Sequence, residues 1–372
     1  MKLNIKIVFS SLLIAIVLLS MGACQDMLDT NSSRIAFEKD NQLKSANDLF
    51  YAISGIMAEV QKTGDKYVLF GELRGDLMTV SDNASVSLKE INEFQTTSGN
   101  VYADQRDYYN VINNCNYALQ KIDTLTQKID SSTVNQNENI MLPAYAVIKT
   151  IRAWTYMQLA QIYGKVTYFE NPILNLETSL VNYPTMNIDD LSQKLITDLT
   201  PYINTPLPGS DVSPNNFVPV QIMLGDLYLY QNNYTQAAQM YYNYINAHSI
   251  VISSNYTSMW TSVTYDAASA NHQNSYGNEV ISSIYYNSDA RELHSDLVSL
   301  SYNDKASLLP VKSFIDSMSL APYFYSDKIG NNITATTQGD LRGDISFSKT
   351  KQQIGDAYST ENTGNNISTN LI

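Results

Sequence analysis

Apolar side chains recur along much of this chain at the three- and four-residue spacing of one helix face, and polar stretches between them mark where helices can start and stop. Ser45-Ala46-Asn47-Asp48 has the form of a capping box. Leu49, Ile53, Ile56 and Val60 follow on one face, and Gly64 is the expected stop. Residues 71–99 read as loop-rich. A second helix is predicted over 104–121, with Tyr108, Val111, Cys115, Leu119 and Ile122 as its stripe and Asn113, Asn114 and Asn116 standing off it. Residues 123–139 are polar and read as a variable loop.

The third predicted helix, 142–163, is apolar around most of its circumference: Ala146, Ile148, Ile151, Ala153, Trp154, Leu159 and Ile162. Such a helix must be buried on several sides. Arg152 within it therefore needs an acidic or carbonyl partner, since an unpaired buried guanidinium is prohibitive. Gly164 is the stop. Asn187 can cap a fourth helix carrying Ile188, Leu191, Leu195 and Leu199, which Pro201 ends. After a proline-rich connector, two further helices are predicted, 220–230 and one from Tyr234 through Ile245. Beyond residue 250 the periodicity fades, and 251–345 reads as irregular structure with a few short strands or helices. The final dozen residues are too polar to pack.

The last helix pair carries a repeat signal. Leu224-Gly225-x-x-Tyr228, followed by Ala237 and Tyr241, has the spacing of a tetratricopeptide repeat. Tyr156-x-x-Leu159-Ala160-x-x-Tyr163 reproduces its front half, and Leu159 and Leu224 are 65 positions apart, near two repeat lengths of about 34 residues. Small residues at Ala160, Gly225 and Ala237 let paired helices approach closely. Residues 104–248 thus read as helix pairs stacked in a short, interrupted solenoid.

The first residues change the picture. Lys2 and Lys6 precede an apolar stretch of about 14 residues, too short to span a bilayer and of the length of a signal-peptide core. Gly22 and Ala23 then precede Cys24, the order of a bacterial lipobox in which the cysteine is acylated. The alternative is an ordinary secretory signal with a chance cysteine. Residues 1–23 are assigned to the signal and 24–40 to a polar tether, with a helical domain over 41–350 and a polar tail over 351–372. The chain carries a net charge of −13, and loss of Lys2 and Lys6 makes it −15. So acidic a body repels nucleic acid. Cys115 lies on an apolar helix face with no partner cysteine and reads as a buried thiol.

Chemistry is hard to find. His248, His272 and His294 match no metal-ligand spacing, and no nucleophile elbow, phosphate loop or dinucleotide fingerprint occurs. No cofactor is expected. Arg-Gly-Asp occurs at Arg74–Asp76 and at Arg342–Asp344, read as local turns more than as adhesion motifs. There are 27 tyrosines against 2 tryptophans. Tyrosine with abundant asparagine suits sugar-holding surfaces, and it equally suits helix seams whose hydroxyls stay wet.

Taken together the motifs resemble the SusD/RagB outer-membrane lipoproteins. The resemblance rests on the lipobox, Gly71-Glu72-Leu73-Arg74-Gly75-Asp76, Tyr109-Asn110-Val111-Ile112-Asn113-Asn114-Cys115-Asn116, and Ile151-Arg152-Ala153-Trp154-Thr155-Tyr156-Met157-Gln158-Leu159-Ala160-Gln161-Ile162-Tyr163-Gly164. The repeat segment Leu224 to Ile245 completes it. Tyr109 and Tyr108 stand where the family often shows tryptophan. The resemblance implies an all-α, tetratricopeptide-like solenoid with an irregular, loop-rich ligand face. Family members are longer, and their C-terminal helices are missing here, so the chain reads as truncated or unusually short.

The implied role is non-catalytic. A surface lipoprotein of the outer membrane, anchored through Cys24, captures oligosaccharide or polysaccharide and passes it to a SusC-like TonB-dependent transporter. The alternatives are a tetratricopeptide scaffold, a peptide-binding envelope lipoprotein, or a lipid-anchored hydrolase, the last lacking any recognisable nucleophile. Sugar capture needs flat apolar faces beside amide and carboxylate groups. Trp260, Tyr256, Tyr265 and Tyr276 in the mid-chain segment, with Asp82 and Asn83 in the loop after Asp76, are the candidate contacts. Trp260 leads, because Ser258, Thr261 and Ser262 surround it instead of an apolar run.

Overall fold

The computed structural model describes residues 46–75, 77–126, 134–205, 218–248, 281–282, 284, 295–301, 305–314, 323–326 and 333–336. Helix α1 spans Ala46–Glu72. Its predicted stripe is buried, with Leu49, Ile53, Ile56 and Val60 all at most 3% exposed. The helix does not stop at Gly64. A mid-helix glycine costs about 1 kcal/mol, whereas burying a large apolar side chain contributes roughly 1.5–3 kcal/mol. Leu69 and Phe70, one turn on, are both buried, and that burial carries the helix through. The predicted cap Ser45 lies outside the described residues.

Two short elements organise the loop-rich stretch after α1. Strand β1 (Met78–Val80) pairs with a distant strand, and helix α2 (Val86–Asn92) starts where the Ser85 hydroxyl accepts from Leu88 N. Leu88 and Ile91 are its buried residues, too few for its periodicity to be read in advance. Asn92 Nδ2 donates to the Leu73 carbonyl at 2.8 Å, satisfying backbone beyond the end of α1.

Helices α3 (Arg106–Thr126) and α4 (Val134–Tyr163) run further into the polar 123–139 stretch than predicted. Polar composition misleads there, because polar residues alone do not end a helix. Gly164 ends α4 in the left-handed region at φ 84°, as expected. The two-stranded β2 (Val166–Thr167) and β3 (Thr185–Met186) then frame a crossover containing the single turn α5 (Leu176–Ser179). Helix α6 (Ile188–Leu199) is capped by Asn187, whose side chain accepts from Asp190 N at 2.9 Å. It gives way to a 3-10 turn at Thr200–Tyr202, where Pro201 stands.

Helices α7 (Val220–Tyr230) and α8 (Tyr234–Ala247) form the predicted hairpin. Packing runs in chain order, α1 and α3 against α4, α4 against α6, α6 against α7, and α7 against α8. One core links α3, α4, α6, α7 and α8, with Tyr108, Ile112, Ala153, Tyr156, Leu159, Leu191, Leu195, Leu224, Leu227 and Met240 all buried. The architecture is helix-rich, with tetratricopeptide-like pairs. Later in the chain, α9 (Leu297–Ser301) leads to β4 (Leu308–Pro310), which pairs antiparallel with β1, Val80 opposite Leu308. Strands β5 (Tyr323–Ser326) and β6 (Ile333–Thr336) pair with each other.

Candidate functional site

Arg152, Tyr156 and Tyr163 of the Arg152-to-Gly164 stretch explain themselves as architecture. Arg152 is 3% exposed. It donates to Asp198 Oδ2 at 2.7 Å and to the amide oxygen Asn116 Oδ1 at 2.7 Å, so the expected acidic or carbonyl partner is one of each. Lys149 donates to the other oxygen of the same carboxylate. Burial alone would raise the Asp198 carboxyl; Arg152 and Lys149 bring it below its ordinary value. Tyr156 donates from its hydroxyl to the Phe169 carbonyl at 2.9 Å and accepts from Phe169 N at 3.0 Å. Tyr163 donates to the Tyr102 carbonyl at 3.0 Å. Tyr156 thus holds the crossover, and Tyr163 the loop before α3, against α4.

Of the three asparagines expected to stand off the stripe of α3, two turn inward. Asn116 is buried, and its amide donates to the Phe169 carbonyl at 3.0 Å. Asn113 makes a two-way clamp on Ile173, donating to its carbonyl at 3.0 Å and accepting from its N–H at 2.7 Å. A side-chain amide offers a donor and an acceptor together, so it can replace a strand partner for a buried loop. Tyr109, where the family shows tryptophan, keeps the packing role by stacking on Phe169 and accepts from Thr167 N at 2.9 Å. Arg74 is structural too, donating to the Ile162 carbonyl and Thr96 and lying over the Phe70 ring. Asp76 lies outside the described residues.

A concavity that can receive a ligand lies elsewhere among the described residues, between α1 and α4. A cleft of about 350 Å³ is lined by Met57, Val60, Tyr67, Val68, Ile151 and Trp154, with Asp65, Ile284 and Leu297 among the remaining wall residues. That volume falls in the range of small-molecule sites. Tyr67 and Trp154 meet with ring centroids 5.8 Å apart and planes inclined by 55°, forming an aromatic corner. Tyr67 is 46% exposed and Trp154 half-buried. Asp65 fixes one wall: its carboxylate accepts from Ser295 Oγ at 2.6 Å and from Asp296 N at 2.7 Å. Close by, Tyr230 accepts from the Gln161 amide. Burial pushes the Tyr230 hydroxyl up, and the neighbouring Asp226 and Tyr67 add to the effect.

The sequence-predicted contacts fall differently. Asp82 and Asn83 are exposed in the turn before α2. The Asp82 carbonyl accepts from Lys89 Nζ at 3.1 Å, and Asn83 N donates to Ser81 Oγ at 3.1 Å, so both have local structural bonds. Neither lines the cleft. Trp260, Tyr256, Tyr265 and Tyr276 lie outside the described residues, as do Cys24, His272 and His294. His248 stacks on Tyr244 with ring centroids 4.1 Å apart. Sequence reasoning missed Tyr67 and Trp154 for a clear reason. Ending α1 at Gly64 left Tyr67 without a face, and Trp154 was absorbed into a helix apolar all round. The available signal was that same excess, since a helix apolar on every side needs a neighbour, or a cavity, on each.

Among the described residues no three His, Cys, Asp or Glu side chains converge on a metal position, and no helix is long and apolar enough to cross a membrane. Stacked helix pairs beside an aromatic-lined cleft define a tetratricopeptide-like helical protein. No protein-family model matches the chain. It is 28% identical over 161 residues to SusD-like protein P2 of Formosa agariphila, which covers 42% of this chain and 30% of that protein. Its fold is similar to a SusD superfamily protein of Bacteroides thetaiotaomicron (TM-score 0.59, 15% identity, 75% of this chain and 63% of that one). It is similar likewise to a putative sugar binding protein of Bacteroides vulgatus (TM-score 0.58, 18% identity, 74% and 62%). The chain therefore spans less than two thirds of each of these relatives. The chain is thus similar in fold to SusD superfamily structures and, over 161 residues, in sequence to a SusD-like protein.

Proposed function

We propose that this chain is a non-catalytic glycan-capture lipoprotein, anchored to the outer membrane through Cys24, which hands its ligand to a SusC-like TonB-dependent transporter. The observation that carries the reading is the Tyr67–Trp154 corner opening onto a cleft of ligand size. Aromatic faces offer apolar area to sugar C–H faces, while hydroxyl, amide and carboxylate groups beside them meet sugar hydroxyls. Tyr230, Gln161 and Asp65 supply such groups near this corner. The sugar-binding relative and the SusD-like relative support the same reading.

Isothermal titration of the protein against a panel of oligosaccharides tests it, with Trp154→Ala and Trp260→Ala variants alongside. Micromolar to millimolar binding of at least one glycan is expected. Binding to no glycan, with tight binding of peptides instead, overturns the sugar reading. Metabolic palmitate labelling that disappears in Cys24→Ala tests the anchor, and co-purification with a barrel transporter tests the hand-off.

One feature favours a second reading, a scaffold for protein partners. Helix α8 leaves Tyr234, Tyr242 and Ile245 exposed on the outer side of the last described hairpin. Recovery of the protein in an envelope complex without any barrel transporter would favour that scaffold role.

A further inference from the structure

We infer that the Tyr67–Trp154 cleft selects uncharged glycans and rejects polyanionic ones. The inference rests on the capture reading and adds the class of sugar. It follows from where the charges around the cleft point. Asp65 is the ionisable side chain with a full charge among the described wall residues, and it is an acid. Asp296, whose N–H Asp65 accepts, sets a second carboxylate next to it. Tyr102 registers the pair: after burial, Asp296 and Asp65 both push its hydroxyl up.

The two lysines that α1 carries nearby are committed elsewhere. Lys66 is buried, donating to the Asp104 carbonyl at 2.8 Å and to Asp107 at 2.9 Å. Lys62 pairs with Glu59 at 2.7 Å. Neither is among the residues lining the cleft. A uronate or sulfate group entering the cleft would lose water without gaining a cation from the described wall residues, and would meet a carboxylate already in place. The net charge of −13 adds a repulsive field that slows the approach of any polyanion.

A neutral sugar faces none of these costs. Its hydroxyls donate, and each oxygen of the Asp65 carboxylate has a further acceptor direction beyond the bond it already makes. Its ring faces lie on Tyr67 and Trp154. Recognition of this kind also depends little on salt, because no counterion is exchanged.

The test is titration of the protein with two sets of oligosaccharides matched in length. One is neutral (gluco-, manno- and xylo-oligosaccharides) and the other anionic (oligogalacturonate, oligomannuronate and sulfated galactan), each at 20 and 300 mM NaCl. At least one neutral oligosaccharide is expected to bind ten-fold or more tightly than every anionic one at low salt, with the gap narrowing at high salt. Tyr67→Ala, at a half-exposed position where folding is little at risk, should weaken that binding ten-fold or more, and Trp154→Ala at least as much. Tighter binding of an anionic oligosaccharide, weakened by Tyr67→Ala, would overturn the inference and leave the capture reading standing. Glycan binding indifferent to both variants would overturn the assignment of the cleft. Binding of neither set would remove the capture reading itself, and the selectivity with it.

Discussion

Arg152 Nη2 lies 2.7 Å from Asp198 Oδ2, joining the middle of α4 to the last turn of α6 inside the helical core. The second oxygen of that carboxylate takes Lys149, and the first guanidinium nitrogen, Nη1, takes Asn116, so one half-buried acid organises three neighbours on two other helices. The contact joins segments 46 residues apart. It sets the register of α4 on α6 more specifically than aliphatic packing could.

Removing the acid should therefore cost far more than a surface ion pair. Asp198→Asn leaves two buried cations without a counter-charge, and the loss of one partner of a buried pair costs about 3–5 kcal/mol. Urea unfolding followed by circular dichroism should show a midpoint shift of that size. A change below about 1 kcal/mol would mean that the pair is dispensable.

Acid lability follows from the same residue. The Asp198 carboxyl is held below its ordinary value of 3.8 by Arg152 and Lys149, against the opposing effect of burial. Its contribution to stability is complete above that ordinary value and is lost as pH falls through the lower folded value. Unfolding midpoints measured from pH 5 to pH 2 should fall over that window. The fall should be shallower in Asp198→Asn.

Asp226 has the opposite sign. Burial raises its carboxyl, although the Tyr241 hydroxyl donates to it at 2.5 Å. Ionisation then works against the fold as pH rises through the raised value, while below the ordinary value of 3.8 no such cost exists. Asp226→Asn keeps an acceptor for Tyr241 and removes the charge. It should raise the melting temperature at pH 7 by about 2 °C, a gain that vanishes near pH 3.

Close approach in the last hairpin depends on Gly225. A Cβ there would sit 2.4 Å from Tyr241 Cε1 and 2.7 Å from Cζ. Gly225→Ala gains about 1 kcal/mol of helix propensity but must push α8 away, at about 1–3 kcal/mol. Net destabilisation is expected in thermal melts, with part of it recovered when Tyr241→Ala is added. A Gly225→Ala protein more stable than the parent would refute the tight packing of α7 on α8.

Cys115 should be inert until the fold opens. It is fully buried, and burial pushes its thiol up to about 12. Alkylation by iodoacetamide at pH 7.5 should be negligible in the native protein and complete in 6 M guanidinium. Rapid native labelling at this position would contradict the packing of α3 on α4.

Much of the helical order was readable because it follows from local periodicity. The stripe of α1, the Asn187 cap, the Gly164 stop and the α7–α8 hairpin each depend on residues within a few turns of one another. Failures came where a distant partner decides. Gly64 stays helical because Leu69 and Phe70 find a pocket beside α2 and β4, which no window around Gly64 contains. Asn113 and Asn116 face inward because the crossover after α4 needs their amides. Strand β1 exists because residues some 230 positions later pair with it.

What the sequence determined alone was the order of the six longer helices, the need of Arg152 for an acidic or carbonyl partner, and the resemblance to SusD-like proteins. Each is a statement about short spacings, or about a charge that burial forbids to stand unpaired. Which acid answers Arg152 was decided only in three dimensions, and so was the cleft. Asp198, Tyr67 and Trp154 come from helices whose mutual placement depends on the sum of many weak packing contacts. No local pattern encodes that sum, so the ligand-sized space between α1 and α4 becomes visible only once the helices are set against each other.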